Sequence, residues 1–408
     1  MSGLLSGVRV LESSMLLNGA STGMILADLG AEVTKVEDPS LGDYLRIDDT
    51  YHLHLHANKG KRSVTLNLKL EAGREIFYRL LAQADVFVTN AVGNRNAKLG
   101  LSYDDLRARK PDIIYCQNTG FGATGPYANL PVHGQMMDAL AGATPVETDA
   151  DGLVQPKCAG PRRVLTMSAA GEGTSAGAVQ AALHIAAALY RRQVTGQGAY
   201  LDVSAADAAV ASAWTAASLL LNRPGLAEQR QANFQNLARY QWYETSDGKF
   251  VLFCPEENKF WHAFCALVGR PDLTGREQGV DLRQEIGAIF RGRTQREWMA
   301  LAVEHRLPLG PAHLTIDELG TDPQLRHRGV FRQADHPARG AYRYVAEPVV
   351  VDGHAEPAGE PSPAPELGEH TDEVLSALGF TAAELGELAA AGVTRAPARE
   401  DYISQGIY

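Results

Sequence analysis

Along the N-terminal third of the chain, hydrophobic positions alternate between two rhythms. Short strand-like runs occur at Val8–Leu11, Glu32–Glu37, Ser63–Leu68, Asp85–Thr89 and Asp112–Cys116. Segments of helical period separate them: about Gly19–Leu29, ended by Gly30, then Leu70–Gln83 and Tyr103–Ala108. In the second, Ile76, Phe77, Leu80 and Leu81 share one face. Strands alternating with helices predict an α/β protein with a doubly wound, Rossmann-like parallel sheet. Ligands of such sheets sit at the carboxyl ends of the strands, here the loops after Leu11, Glu37, Thr89 and Gln117. The first βαβ unit lacks G-x-G-x-x-G, so a nicotinamide or flavin cofactor is not indicated.

The segment Ala169–Asp202 stands apart. Gly171-Glu172-Gly173-Thr174-Ser175-Ala176-Gly177 reads as a tight turn opening a long Ala-rich helix, which closes at Gly196-Gln197-Gly198 before a further strand. A helix start of this kind presents N–H groups and the positive end of the helix dipole to an anion or a carboxylate. Taken alone, the segment reads first as a plain connection into a core helix.

From about Gly225 the texture changes. Tyr240–Thr245 and Lys249–Phe253 flank Ser246-Asp247-Gly248, a hairpin signal, and helical segments continue to about Arg306. Strands are expected at Tyr342–Val345 and Val349–Val351, then a Pro-rich linker over 357–365 and helices at Thr371–Leu378 and Thr381–Ala391. The expected organisation is a large domain over 1–224, a smaller α+β domain over 225–325, and a C-terminal segment, 326–408, returning to the first.

Composition narrows the function. The 408 residues are 45% hydrophobic and 21% charged, with a net charge of −10 and no basic block, which argues against a nucleic-acid partner. The four cysteines, Cys116, Cys158, Cys254 and Cys265, show no metal-binding spacing; no metal is expected, and a reduced cytoplasmic setting is. No signal-peptide pattern is read at the N-terminus, and the longest apolar run, Ala208–Leu221, is too short to span a bilayer, so no membrane association is expected.

Several motifs in order make the chain resemble the family III CoA-transferases, the group that includes formyl-CoA and carnitine CoA-transferases and α-methylacyl-CoA racemases. They are Leu5-Ser6-Gly7-Val8-Arg9-Val10-Leu11-Glu12, the run Leu26–Glu37, Gly42-Asp43 with Arg46, and Asn58-Lys59-Gly60-Lys61-Arg62-Ser63. Gly120-Phe121-Gly122 with Thr124-Gly125-Pro126-Tyr127, Asp322-Pro323-Gln324 and the run Pro363–Thr371 continue the series. The resemblance implies a large Rossmann-like domain built from both chain ends and an interlocked, ring-like dimer. It implies coenzyme A or acyl-CoA as substrate, with no permanently bound cofactor. CoA-binding positions carried over are Leu17, Asn18, Leu66, Lys69, Asn90, Ala91, Lys98 and Leu99; the two lysines suit phosphate groups. Asp38 stands where some members carry an Arg for the nucleotide end.

The family's reaction implies a nucleophilic carboxylate that passes through mixed anhydrides and an enzyme–CoA thioester. Aligned back from Thr195-Gly196-Gln197-Gly198, the expected Asp falls on Thr174, and the nearest carboxylate is Glu172. A threonine hydroxyl is not ionised near neutrality, and its ester lacks anhydride reactivity. His133 matches a racemase-like His, with Gly134 in place of the acid that commonly follows it; Asp138 reads as a surface or capping residue. The leading expectation is a CoA-transferase subunit without its own nucleophile, working with a homologous catalytic subunit, as in heteromeric members such as succinyl-CoA:benzylsuccinate CoA-transferase. The alternatives are a homodimer using Glu172, a 2-methylacyl-CoA racemase using His133 and Glu172, and a non-enzymatic acyl-CoA-binding protein.

Overall fold

The computed structural model describes residues 3–46, 51–156, 171–223, 225–352 and 361–395. Residues 213–322 form one compact unit; the described residues before and after them form another.

The first unit is built on β1 (Arg9–Ser13), α1 (Leu16–Asp28), β2 (Glu32–Glu37), α2 (Tyr51–Asn58), β3 (Lys61–Thr65), α3 (Glu71–Gln83) and β4 (Val86–Thr89). Next come α4 (Arg95–Lys98), α5 (Tyr103–Arg109), β5 (Ile114–Thr119), α6 (Met136–Leu140) and a small hairpin, β6 (Val146–Thr148) with β7 (Val154–Pro156). Then follow α7 (Gly171–Thr195), β8 (Ala199–Ser204) and α8 (Ala205–Ser212). Six strands pair in the order β3-β2-β1-β4-β5-β8, all parallel. This is the Rossmann order, with its switch point between β1 and β4.

Successive strand residues point to opposite faces, and both faces are covered. Leu11, Phe87 and Tyr115 face a core with Ile76, Phe77 and Leu81 of α3. Val10, Val86, Val88, Ile114 and Cys116 face the other, with Leu26 of α1 and Ala181, Ile185 and Leu189 of α7. The chain end returns to this unit: Thr65 N–H donates to Thr371 Oγ1 at 3.1 Å, and Asn67 N–H to the Val393 carbonyl at 2.7 Å.

The second unit contains the expected hairpin, Gln241–Glu244 with Phe250–Phe253, extended by Leu309–Ala312 into a three-stranded antiparallel sheet. Trp261, Phe264, Phe290 and Trp298 are packed in its core. It spans 213–322, against the 225–325 read from the sequence. The apolar run Ala208–Leu221 divides between α8 and a separate helix, Trp214–Asn222. Among the described residues no helix is long and apolar enough to cross a membrane.

Three expectations are corrected. Gly171–Gly177 is not a turn but the first two turns of α7, because its small residues allow close packing. A Cβ on Gly173 would stand 3.1 Å from Met137 Cβ, and one on Gly177 3.0 Å from Ala205 Cβ. Helix α1 starts at Leu16, so Leu17 and Asn18 lie in its first turn rather than in the loop after β1. Val349 and Val350 lie in no strand; Phe331–His336 takes the place beside Gly340–Val345 as an antiparallel hairpin.

Candidate active site at the head of the long helix

The carboxyl ends of β1 and β4 open on the switch point, and Asn90 bridges them. Met15 N–H donates to Asn90 Oδ1 at 3.1 Å, and Asn90 Nδ2 donates to the Met15 carbonyl at 2.5 Å. The next residue, Ala91, donates its N–H to Thr89 Oγ1 and accepts from Gln117 Nε2 at 2.8 Å. These bonds tie Met15, just before the start of α1, to the end of β4, with Leu17 and Asn18 in the helical turn that follows.

A buried charge network sets the start of α1. Leu16 has φ of 60°, a left-handed backbone that a leucine does not favour. Its N–H donates to Asp43 Oδ1 at 3.1 Å, and Asp43 Oδ2 accepts from Lys35 Nζ at 2.8 Å. Lys35 also meets Glu12 Oε1 at 3.1 Å, while Lys61 donates to Glu12 Oε2 and to the Ala20 carbonyl, each at 2.8 Å. All four charged groups are buried. Burial works against ionisation of Glu12 and Asp43, but the neighbouring lysines override it and hold both below the usual carboxylate range. Burial is the largest effect on Lys61 too, and there it wins, lowering it to about 8 despite Glu12.

The remaining candidates separate by burial. Leu66 is in the core, 1% exposed, and its N–H is donated to the Glu37 carbonyl at 2.9 Å, so neither its side chain nor its amide is open to a ligand. Leu99 packs partly buried against that core. Lys69 and Lys98 are exposed and, among the described residues, in no salt bridge within 4.0 Å. Asp38 spends Oδ1 on the Ser40 N–H and hydroxyl, a turn-forming role. A cavity of about 450 Å³ is lined by Pro39, Thr65, Gly368, Thr371, Thr394 and Arg395, whose guanidinium stands 3.7 Å from Asp372 Oδ2.

Glu172, in the first turn of α7, and His133, just before α6, are both exposed, and among the described residues no hydrogen bond joins them. Thr174 is buried. The residue the sequence undervalued is Asp138 on α6. It is 2% exposed, and it caps not its own helix but α7: its Oδ1 accepts the Gly173 N–H at 2.9 Å. Its Oδ2 is buried and has no hydrogen-bond partner among the described residues. The available signal was an acid set between apolar residues in Met136-Met137-Asp138-Ala139-Leu140.

Asp138 is tied to the switch point by a continuous ring. Asn18 Nδ2 approaches Met137 Sδ at 3.5 Å, and Asn118 Nδ2 donates to the Asn18 carbonyl at 3.0 Å and to Thr22 Oγ1 at 3.1 Å. Asn118 Oδ1 in turn lies 3.2 Å from where a Gly177 Cβ would stand.

Fold and site together define an α/β protein with a ligand crevice at a sheet switch point and a carboxylate at the head of a long helix. The chain belongs to CoA-transferase family III, which it matches over residues 5–371. It is 30% identical to the succinate–glutarate CoA-transferase of Agrobacterium fabrum, covering 92% of this chain and 95% of that protein. It is 31% identical to the succinyl-CoA:mesaconate CoA-transferase of Haloarcula marismortui, over 92% and 97% of the two chains. Among solved structures, Rv3272 from Mycobacterium tuberculosis superposes with a TM-score of 0.71 at 27% identity, covering 91% of this chain and 99% of that one. A CAIB/BAIF family protein from Brucella suis gives 0.69 at 26% identity, over 93% and 100%.

Proposed function

We propose that this protein moves CoA from an acyl-CoA such as succinyl-CoA to a carboxylic acid. The observation that carries the reading is the buried carboxylate at the head of α7, beside the first turn of α1. Acid-to-acid exchange of CoA needs such a group, because a carboxylate conserves the activated acyl bond as an anhydride. Relatives named for succinyl-CoA with glutarate or mesaconate support the donor and favour a dicarboxylic acceptor. CoA would lie across Leu17, Asn18, Asn90 and Ala91, with Lys69 and Lys98 toward its phosphates.

Thr174 leaves two sources for the reacting carboxylate: a homologous catalytic subunit paired with this chain, or a group of the chain itself. An interlocked partner, either a second copy or a homologue, is supported by Val179, Leu183, Tyr190 and Val194, an exposed apolar stripe along α7. The racemase reading lacks comparable support, since its two groups, His133 and Glu172, are both exposed and among the described residues no hydrogen bond joins them.

The test is CoA transfer from succinyl-CoA to glutarate, mesaconate and oxalate, measured with the chain alone and co-expressed with a homologue. Thioester formation on any of these acids supports the reading. Solvent deuterium entering the α-position of a 2-methylacyl-CoA, without transfer, would replace it with the racemase.

A further inference from the structure

We propose that Asp138 is the nucleophile, a carboxylate that has moved from the first turn of α7 to the neighbouring helix α6. This rests on the CoA-transfer reading and names the group that performs it.

The geometry is specific. The expected position, Thr174, follows Gly173 directly, and it is the Gly173 N–H that Asp138 Oδ1 accepts at 2.9 Å. The carboxylate therefore sits over the same helix start, one residue from where the family pattern puts its own. Among the described residues only one of its side-chain oxygens is engaged. An amide would cap α7 equally well through its carbonyl, so the cap alone does not call for a charge. A buried carboxylate oxygen without a partner is costly, and such groups persist where chemistry uses them. Here Oδ2 is that oxygen, and among the described residues nothing donates to it. The helix dipole at Gly173 stabilises the anion without occupying the reacting lone pair. The absence of a Cβ at Gly173 and Gly177 lets Met137 of α6 and Ala205 of α8 pack closely against α7. Burial also suits the intermediates, since an anhydride or an aspartyl thioester is lost if water reaches it. Acyl-CoA binding at Asn18 must part the packing over Oδ2, and Met137, which Asn18 touches, is the residue before Asp138.

The steps balance without any redox partner. Oδ2 attacks the acyl carbon of the donor thioester, the C–S bond breaks, and CoA leaves as thiolate. The thiolate attacks the Asp138 carboxyl carbon, and the donor acid departs as a carboxylate carrying the former Oδ2. The acceptor carboxylate then runs both steps in reverse. One of its oxygens remains on Asp138.

That oxygen is the test. The full-length protein, in whichever assembly shows activity, is turned over with succinyl-CoA and ¹⁸O-labelled succinate in ordinary water, then digested and mapped by mass spectrometry. The expected result is ¹⁸O in the peptide containing Asp138, localised to that residue. Exchange of succinate with label on Glu172, or on a partner's carboxylate, overturns the proposal while leaving CoA transfer intact. No exchange in the unaltered protein removes the transfer reading and the assignment with it. Asp138→Asn, which keeps the acceptor for Gly173, is expected to lower exchange by about a thousandfold or more with CoA binding retained; an unchanged rate also overturns the proposal.

Discussion

Asn90 and Met15 hold each other by a two-way hydrogen bond, 3.1 Å in one direction and 2.5 Å in the other. The pair closes the crevice between β1 and β4 and sets the backbone next to Leu17 and Asn18. Asn90→Ala removes both bonds. At about 1 kcal/mol for each net hydrogen bond, CoA affinity should fall by roughly tenfold or more. Titration calorimetry with CoA reads this directly, and unchanged affinity would show that the β1–β4 crevice is not the CoA site.

Asp43 performs a second positioning task, holding the left-handed Leu16 while neutralising Lys35. Asp43→Ala leaves Lys35 with Glu12 as its remaining direct ion-pair partner, and that carboxylate is shared with Lys61. Breaking a buried pair from one side costs about 3–5 kcal/mol. Urea unfolding should show a loss of that size; a change below about 1 kcal/mol contradicts the network's structural role.

Stability should decline on the acid side before the carboxylates titrate. Burial pushes His54 down to about 3 and His56 down to about 4, from 6.5. Between these values and 6.5 the unfolded chain binds more protons than the folded one, so stability drops as pH falls below about 6.5. Glu12, Glu37 and Asp43, all held low, add their loss further down, as pH passes through their depressed values. The melting temperature measured from pH 7 to 4 should fall steadily, and His54→Leu should flatten that slope. A flat wild-type profile down to pH 5 would contradict the buried neutral histidines.

Gly177 has little room for a side chain: an added Cβ would stand 3.0 Å from Ala205 Cβ and 3.2 Å from Asn118 Oδ1. Gly177→Ala requires Ala205 of α8 and Asn118 of β5 to give by a few tenths of an ångström, and the overpacking is expected to cost about 1–3 kcal/mol. It should also reduce transfer activity, because the head of α7 moves with it. Stability and rate measured on the same preparation check both effects.

Lys69 and Lys98 are exposed and, among the described residues, outside any salt bridge, so replacing them leaves the fold alone. Lys98→Ala is expected to weaken CoA binding by several-fold, about 1 kcal/mol, with the difference shrinking as salt is raised. Affinity measured at two ionic strengths tests it.

The strand–helix rhythm of the first unit was legible because each sheet face is covered. The pairs Val10–Leu11 and Ile114–Tyr115 must both be apolar when successive residues face different cores. The long helix was legible in extent but not at its head. Six small residues around Glu172 look like a turn in sequence; they are helical because α6 and α8 pack against Gly173 and Gly177. The hairpin at Phe331–His336 escaped for the opposite reason. Its alternation is weak, and its register is set by Gly340–Val345 across the turn.

By itself the sequence determined the α/β class, the six parallel strands' helical surroundings, the family resemblance, and the absence of an acid at position 174. These follow from local periodicity and from motifs read in order. Only the tertiary structure decided where a carboxylate stands. Asp138 and Gly173 are 35 residues apart in the chain, yet 2.9 Å separates Oδ1 from the amide nitrogen. No local pattern encodes that contact, because it arises from the packing of two helices. Packing alone turned an acid that reads as a surface or capping residue into a buried cap at the head of a different helix, α7.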